Sequence, residues 1–164
     1  MAENGSENRI GRMIDCFREY LDNDDWKYEF DPERNMITCG VNLQCKLGST
    51  RLHMLFKDMG CTIVAMCSLK ADENCRDNVM RYITMANYGM SMGGFEMDLR
   101  DGEIRFRDYL CYKDMEEEEN LSQSVIEYAI TCACSMMQRY GDGLAALLMG
   151  FSTPEEEIKK AEEP

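Results

Sequence analysis

Histidine occurs once in this chain, at His53, tryptophan once, at Trp26, and proline three times. One histidine leaves little material for the commonest general base and metal ligand. A Cys–His dyad would depend on His53 alone, and that residue falls on the polar side of a strand pattern, where an ordinary surface role accounts for it. Cys-x-x-Cys turns are missing too, although there are nine cysteines: Cys16, Cys39, Cys45, Cys61, Cys67, Cys75, Cys111, Cys132 and Cys134. Without such turns a four-ligand zinc site has no framework. No apolar run approaches the ~20 residues of a membrane helix, and the longest covers only 144–149. The first seven residues lack the basic region and apolar core of a signal peptide. Cations are in deficit, with 18 Lys+Arg against 31 Asp+Glu and a net charge of −13. Such a chain repels phosphate backbones and anionic membrane surfaces. The glycine-rich stretch 89–94 carries neither the lysine nor the following helix of a phosphate loop.

These gaps predict a cytoplasmic protein with no nucleic acid or membrane partner, no cofactor, no metal and no catalytic residues. The odd cysteine count in a chain without an export signal argues against a disulfide framework. Buried, reduced thiols serving as small hydrophobes fit better. Fifteen methionines suggest a soft core or an adaptable binding face.

What is present reads as one domain over 1–164, with a core of about 6–151 and a short acidic helix or tail over 152–164. Ile10, Met13, Ile14, Phe17 and Leu21 repeat at helical spacing and predict a helix over about 6–21. Trp26, Tyr28 and Phe30 then alternate with charged residues, as in a half-buried strand. The longest alternation places Ile37, Cys39, Val41, Leu43, Cys45 and Leu47 on one side of a second strand. Leu52, Met54 and Phe56 mark a third strand, and Cys61, Ile63, Ala65, Cys67 and Leu69 a fourth. A second helix is expected over about 73–90. Phe95, Met97 and Leu99 form a strand that turns at Asp101-Gly102, a two-residue hairpin signal, and returns through Ile104 and Phe106. The acidic run 116–119 reads as a solvated helix start. A third helix follows over about 121–140, interrupted at Gly141 and Gly143. Thr153-Pro154 has the form of a helix cap followed by a first-turn proline.

Strand runs separated by single helices predict an α+β fold: a mostly antiparallel, twisted sheet with helices on one face, in the order α-ββββ-α-ββ-α. On the opposite face Met36, Leu55, Val64 and Met66 interrupt polar neighbours and are the candidate partner-binding residues. Isolated surface apolars would look the same. Glu96, Asp98 and Arg100 facing Arg105 and Arg107 read as a cross-strand charge ladder. Asn87, ending an apolar helix face, is expected to tie off backbone groups where the chain turns. Gly94, Asp101 and Gly102 are expected to shape turns.

Several motifs in this order resemble the YbjN family, proposed regulators of bacterial sensory transduction. They are Trp26, Gly40-Val41-Asn42, Met85-Ala86-Asn87, Gly94-Phe95-Glu96-Met97-Asp98, the stretch Asp101-Gly102-Glu103-Ile104-Arg105-Phe106-Arg107, and Ser152-Thr153-Pro154-Glu155. The resemblance spans about 10–158. It implies a fold similar to type III secretion chaperones, used to hold other polypeptides, and no catalytic residues. The expected partner is therefore another protein, with homodimer formation left open. A small-ligand or redox sensor using a pocket or an accessible thiol is the alternative.

Overall fold

Two periodicities, 3.6 and 2, alternate along this chain, and each becomes the corresponding element. The computed structural model describes residues 2–116 and 119–163. The first helix, α1 (Ala2–Asn23), is followed by four strands, β1 (Tyr28–Asp31), β2 (Met36–Asn42), β3 (Ser49–Lys57) and β4 (Gly60–Lys70). Helix α2 (Arg76–Tyr88), strands β5 (Gly94–Met97) and β6 (Glu103–Cys111), and helices α3 (Gln123–Leu148) and α4 (Pro154–Glu162) complete the order. The fold is α+β, as the periodicities predict.

All strand pairs are antiparallel, and the six strands run β1-β2-β3-β4-β6-β5 across one sheet. The inward residues Ile37, Leu52, Met54, Ile63, Ala65, Ile104 and Phe106 are buried against the helices. Phe17 of α1 meets Phe56 of β3 edge to face at 4.9 Å between ring centroids. Helix α3 lies over β4 and β6, and α2 packs beside β5. In α3, Ile126, Ile130, Ala133 and Met137, one apolar stripe, are fully buried. The outward positions of β2, β3 and β6 are all half-buried or exposed. Among the described residues no helix is long and apolar enough to cross a membrane.

Five local expectations change. The second strand stops at Asn42, not Leu47. Beyond it the chain folds into a turn, with Leu43 N–H bonded to Gly48 O at 2.8 Å. Two more of its amides reach side chains of α3, Gln44 N–H to Gln138 Oε1 (3.0 Å) and Lys46 N–H to Asp142 Oδ1 (2.7 Å). Trp26 precedes its strand, because its N–H closes the end of α1 on Leu21 O at 2.9 Å. Helix α3 continues through Gly141 and Gly143 to Leu148. Those glycines do not break it; they admit neighbours. A Cβ at Gly141 would lie 2.6 Å from Cys45 Sγ, and one at Gly143 would overlap the Tyr82 hydroxyl. That hydroxyl donates to Tyr140 O at 3.1 Å, in the buried core.

Asp101-Gly102 is the fourth case. The β5–β6 connection is a four-residue loop, because Asp98 N–H already pairs with Glu103 O at 2.9 Å. Asp98 Oδ1 accepts Arg100 N–H (2.9 Å) and Asp101 Oδ1 accepts Glu103 N–H (3.1 Å), which shapes the wider loop from within. Gly102 has φ +75° and its carbonyl accepts Ala71 N–H at 2.8 Å. A Cβ there would collide with Ala71 O. The acidic run does not start α3, which is capped at Ser122; Glu117 and Glu118 lie outside the described residues.

Candidate functional site

Side chains alternate across a strand, so register decides which outward residues become neighbours. On the helix-free face Met36 lies directly opposite Leu55, and Leu55 opposite Thr62. One row over, Thr38, His53, Val64 and Arg107 stand side by side on β2, β3, β4 and β6. The next row holds Gly40, Arg51, Met66, Arg105 and Glu96. Met36, Leu55, Val64 and Met66 are thus brought together on one face, each half-buried. Met36 and Leu55 are direct strand neighbours, about 5 Å apart, while Val64 lies diagonal to Leu55 and Met66 two residues farther along β4, each step about 7 Å, so the four form a diagonal apolar row across three strands.

Charge frames that row. Glu96 takes both guanidinium groups of β6, with Arg105 Nε to Oε2 at 2.9 Å and Arg107 Nε to Oε1 at 2.6 Å. Burial alone would raise the Glu96 pKa; the bonds from Arg107 and then Arg105 outweigh it and hold the carboxyl below its usual range. Arg51, on the far side of Met66, is exposed and forms no ion pair among the described residues. His53 Nδ1 lies 3.1 Å from Thr38 Oγ1. Burial first, and Arg51 second, lower its pKa, so the imidazole is neutral near pH 7. Beside them an open depression of about 570 Å³ is lined by Val41, Asn42, Ser49, Arg51, His53, Met66 and Ser68, among others.

The remaining candidates sit elsewhere. Asn87 bridges α2 to the edge strand β5, donating from Nδ2 to Phe95 O (2.9 Å) and accepting Phe95 N–H at Oδ1 (2.7 Å). Gly94 begins β5 opposite Arg107, and Asp101 with Gly102 shapes the distal loop, where Asp101 also pairs with Lys70. None of these reaches the apolar row.

Three of the thiols are poorly placed for nucleophilic chemistry. Burial raises the Cys39 thiol to about 12 and the Cys134 thiol to about 11. It also drives Cys61 upward. A thiol held in the protonated form is a poor nucleophile. Among the described residues no three His, Cys, Asp or Glu side chains gather in a way that could hold a metal ion. The β3 alternation already puts Arg51 on the face of Leu55, whereas Arg105 and Arg107 read only as a hairpin charge ladder, without a link to Val64 and Met66. Alternation showed that these arginines point outward. That they adjoin β4 follows only from β6 lying between β4 and β5.

No curated protein and no solved structure matches the chain. A family does: the sequence pattern described as "Putative bacterial sensory transduction regulator" aligns with residues 7–146. That match takes in most of α1, all six strands, α2 and most of α3, and the chain accordingly belongs to the YbjN family.

Proposed function

We propose that this chain is a non-enzymatic regulatory domain that holds another protein on the open face of its sheet, in a chaperone-like manner, in the cytoplasm. One observation carries the reading: four half-buried apolar residues, Met36, Leu55, Val64 and Met66, run in a diagonal row across β2, β3 and β4 on the one sheet face that the helices leave free. A docking surface of this kind combines apolar anchors with a polar, charged rim, and Arg51, Arg105, Arg107 and Glu96 supply that rim. The family's assignment to sensory transduction is consistent with a role exerted through a partner.

The test separates folding from capture. Leu55→Asp and Met66→Asp alter the row, and Ser135→Asp, at an exposed position of α3, serves as the control. All three should keep the wild-type urea midpoint. A partner captured by the wild-type chain and identified by mass spectrometry should be lost with the first two and kept with the third. If the two row variants fold and retain that partner, the docking face is elsewhere. A small-ligand sensor is the second reading, favoured by the depression of about 570 Å³ beside Arg51 and His53. Stabilisation by a metabolite with no protein captured would support it instead.

A further inference from the structure

The middle of the open face, on β3, β4 and β6, has a charge opposite to that of the molecule. Across the whole chain acidic residues outnumber basic ones, 31 to 18. At the outward positions of β3, β4 and β6 the balance reverses, with Arg51, Lys57, Arg105 and Arg107, and Lys70 already paired with Asp101, against the carboxylate Glu103; the acidic side chains of this face gather at its β1 edge, as Glu29 and Asp31. Glu96 reaches in from β5, but it is one carboxylate shared between two guanidinium groups. Net positive charge therefore remains beside it, and Arg51 adds more on the other side.

Met66 lies between these two sources of charge, opposite Arg51 on β3 and Arg105 on β6, while Val64 has His53 and Arg107 as its neighbours. We infer that the partner segment held on this face is acidic and interrupted by apolar residues: carboxylates meet Arg51 and the Arg105/Arg107 pair while aliphatic side chains cover Val64, Met66 and Leu55. The inference rests on the docking reading above and names its partner class. Guanidinium groups suit this task because their planar forks bind carboxylates through two parallel hydrogen bonds. The chain's own −13 charge selects against the other anionic polymer, since a nucleic acid is repelled over the rest of the surface.

The full-length chain can be titrated against fluorescein-labelled peptides of about ten residues, with binding read by anisotropy. One peptide alternates Glu or Asp with Leu or Val; a second replaces its acids with Ser, a third with Lys; a single-stranded oligonucleotide is the fourth probe. The acidic peptide should bind most tightly and weaken about fivefold or more between about 0.05 M and 0.3 M salt, as the Debye length shortens. Arg51→Gln, at an exposed residue without an ion pair, should keep the native melt and weaken the acidic peptide about five- to tenfold. It should leave the serine peptide unchanged. Equal binding of the serine and acidic peptides, abolished by Leu55→Asp, keeps the docking face and overturns its acidic preference. Tighter binding of the lysine peptide or the oligonucleotide overturns the inference as well. So does failure of the acidic peptide to bind at all. In that last case loss of the captured partner with Leu55→Asp would still uphold the docking face, and its retention would remove both readings.

Discussion

Asn87 satisfies both outward backbone groups of Phe95, holding its N–H at 2.7 Å and its C=O at 2.9 Å. The side-chain amide thus stands in for a missing neighbouring strand. Strand β5 is a sheet edge, and an uncovered edge carries unpaired backbone groups. Phe95 in turn packs on Phe106, with ring centroids 5.2 Å apart. The helix–edge contact therefore fixes both the hairpin and the core beneath it.

Replacing Asn87 by Leu removes both bonds and leaves two partly buried backbone groups without partners. Each such group costs about 1–3 kcal/mol, so Asn87→Leu should lose about 2–6 kcal/mol in urea unfolding. A change under ~0.5 kcal/mol would show that water replaces the amide at no cost.

Gly102 and Gly150 both have positive φ, +75° and +70°. A Cβ at Gly150 meets nothing within 4 Å, whereas one at Gly102 strikes the Ala71 carbonyl. Gly150→Ala should therefore cost only the left-handed backbone penalty, about 1–2 kcal/mol. Gly102→Ala should cost more, because the Ala71–Gly102 bond must also shift. Equal melting midpoints for the two variants would contradict the close approach.

Strand β2 offers a two-sided test. Ile37 is fully buried, and its neighbour Thr38 points to the open face. Ile37→Asp puts an unpaired charge in the core and should cost several kcal/mol, a large part of the about 5–15 kcal/mol of an ordinary domain. Thr38→Asp should change stability by less than ~1 kcal/mol. Unfolding by both would mean that the open face is covered.

The carboxyl of Glu96 has a folded-state pKa below its ordinary 4.5. A group with a depressed folded pKa adds stability above its unfolded pKa and loses that contribution as pH falls through the folded value. The stability gap between wild type and Glu96→Gln should accordingly be widest near neutral pH and close below about pH 4. Urea midpoints measured from pH 7 to about pH 3 check this. A gap that grows on acidification would reverse the sign and remove the ion pairs as its cause.

Thiol reactivity should follow burial. Cys111 is exposed, while Cys39 and Cys61 are buried with raised pKa values. In a timed reaction with a disulfide reagent at pH 8, Cys111 should label first and the other two only on unfolding. Labelling of Cys61 as fast as Cys111 would show that β4 opens readily.

Local pattern was enough for much of this molecule. The alternation at Ile37 and Cys39, and at Leu52, Met54 and Phe56, fixed which strand faces are buried, because a pleated strand presents every second residue to one side. Thr153 and Pro154 announced α4, whose capping box joins Thr153 Oγ1 to Glu156 N–H at 3.4 Å. Asn87 stood out as a polar residue on an apolar helix face.

Elsewhere local pattern misled, each time because a distant contact decided the outcome. Cys45 and Leu47 continue the alternation of β2, yet Gln138 and Asp142 of α3 capture the amides of Gln44 and Lys46 and bend the chain into a turn. Gly141 and Gly143 read as helix breakers, yet Tyr82 and Cys45 occupy the space their missing side chains leave. The candidate site divides in the same way. Alternation alone put Met36, Leu55, Val64 and Met66 on outward faces. The tertiary structure alone set β6 against β4, and so placed Arg105 and Arg107 beside Val64 and Met66. Periodicity records which way a side chain points relative to its own strand. The neighbour it meets there depends on strand order, which long-range packing of the helices and sheet selects.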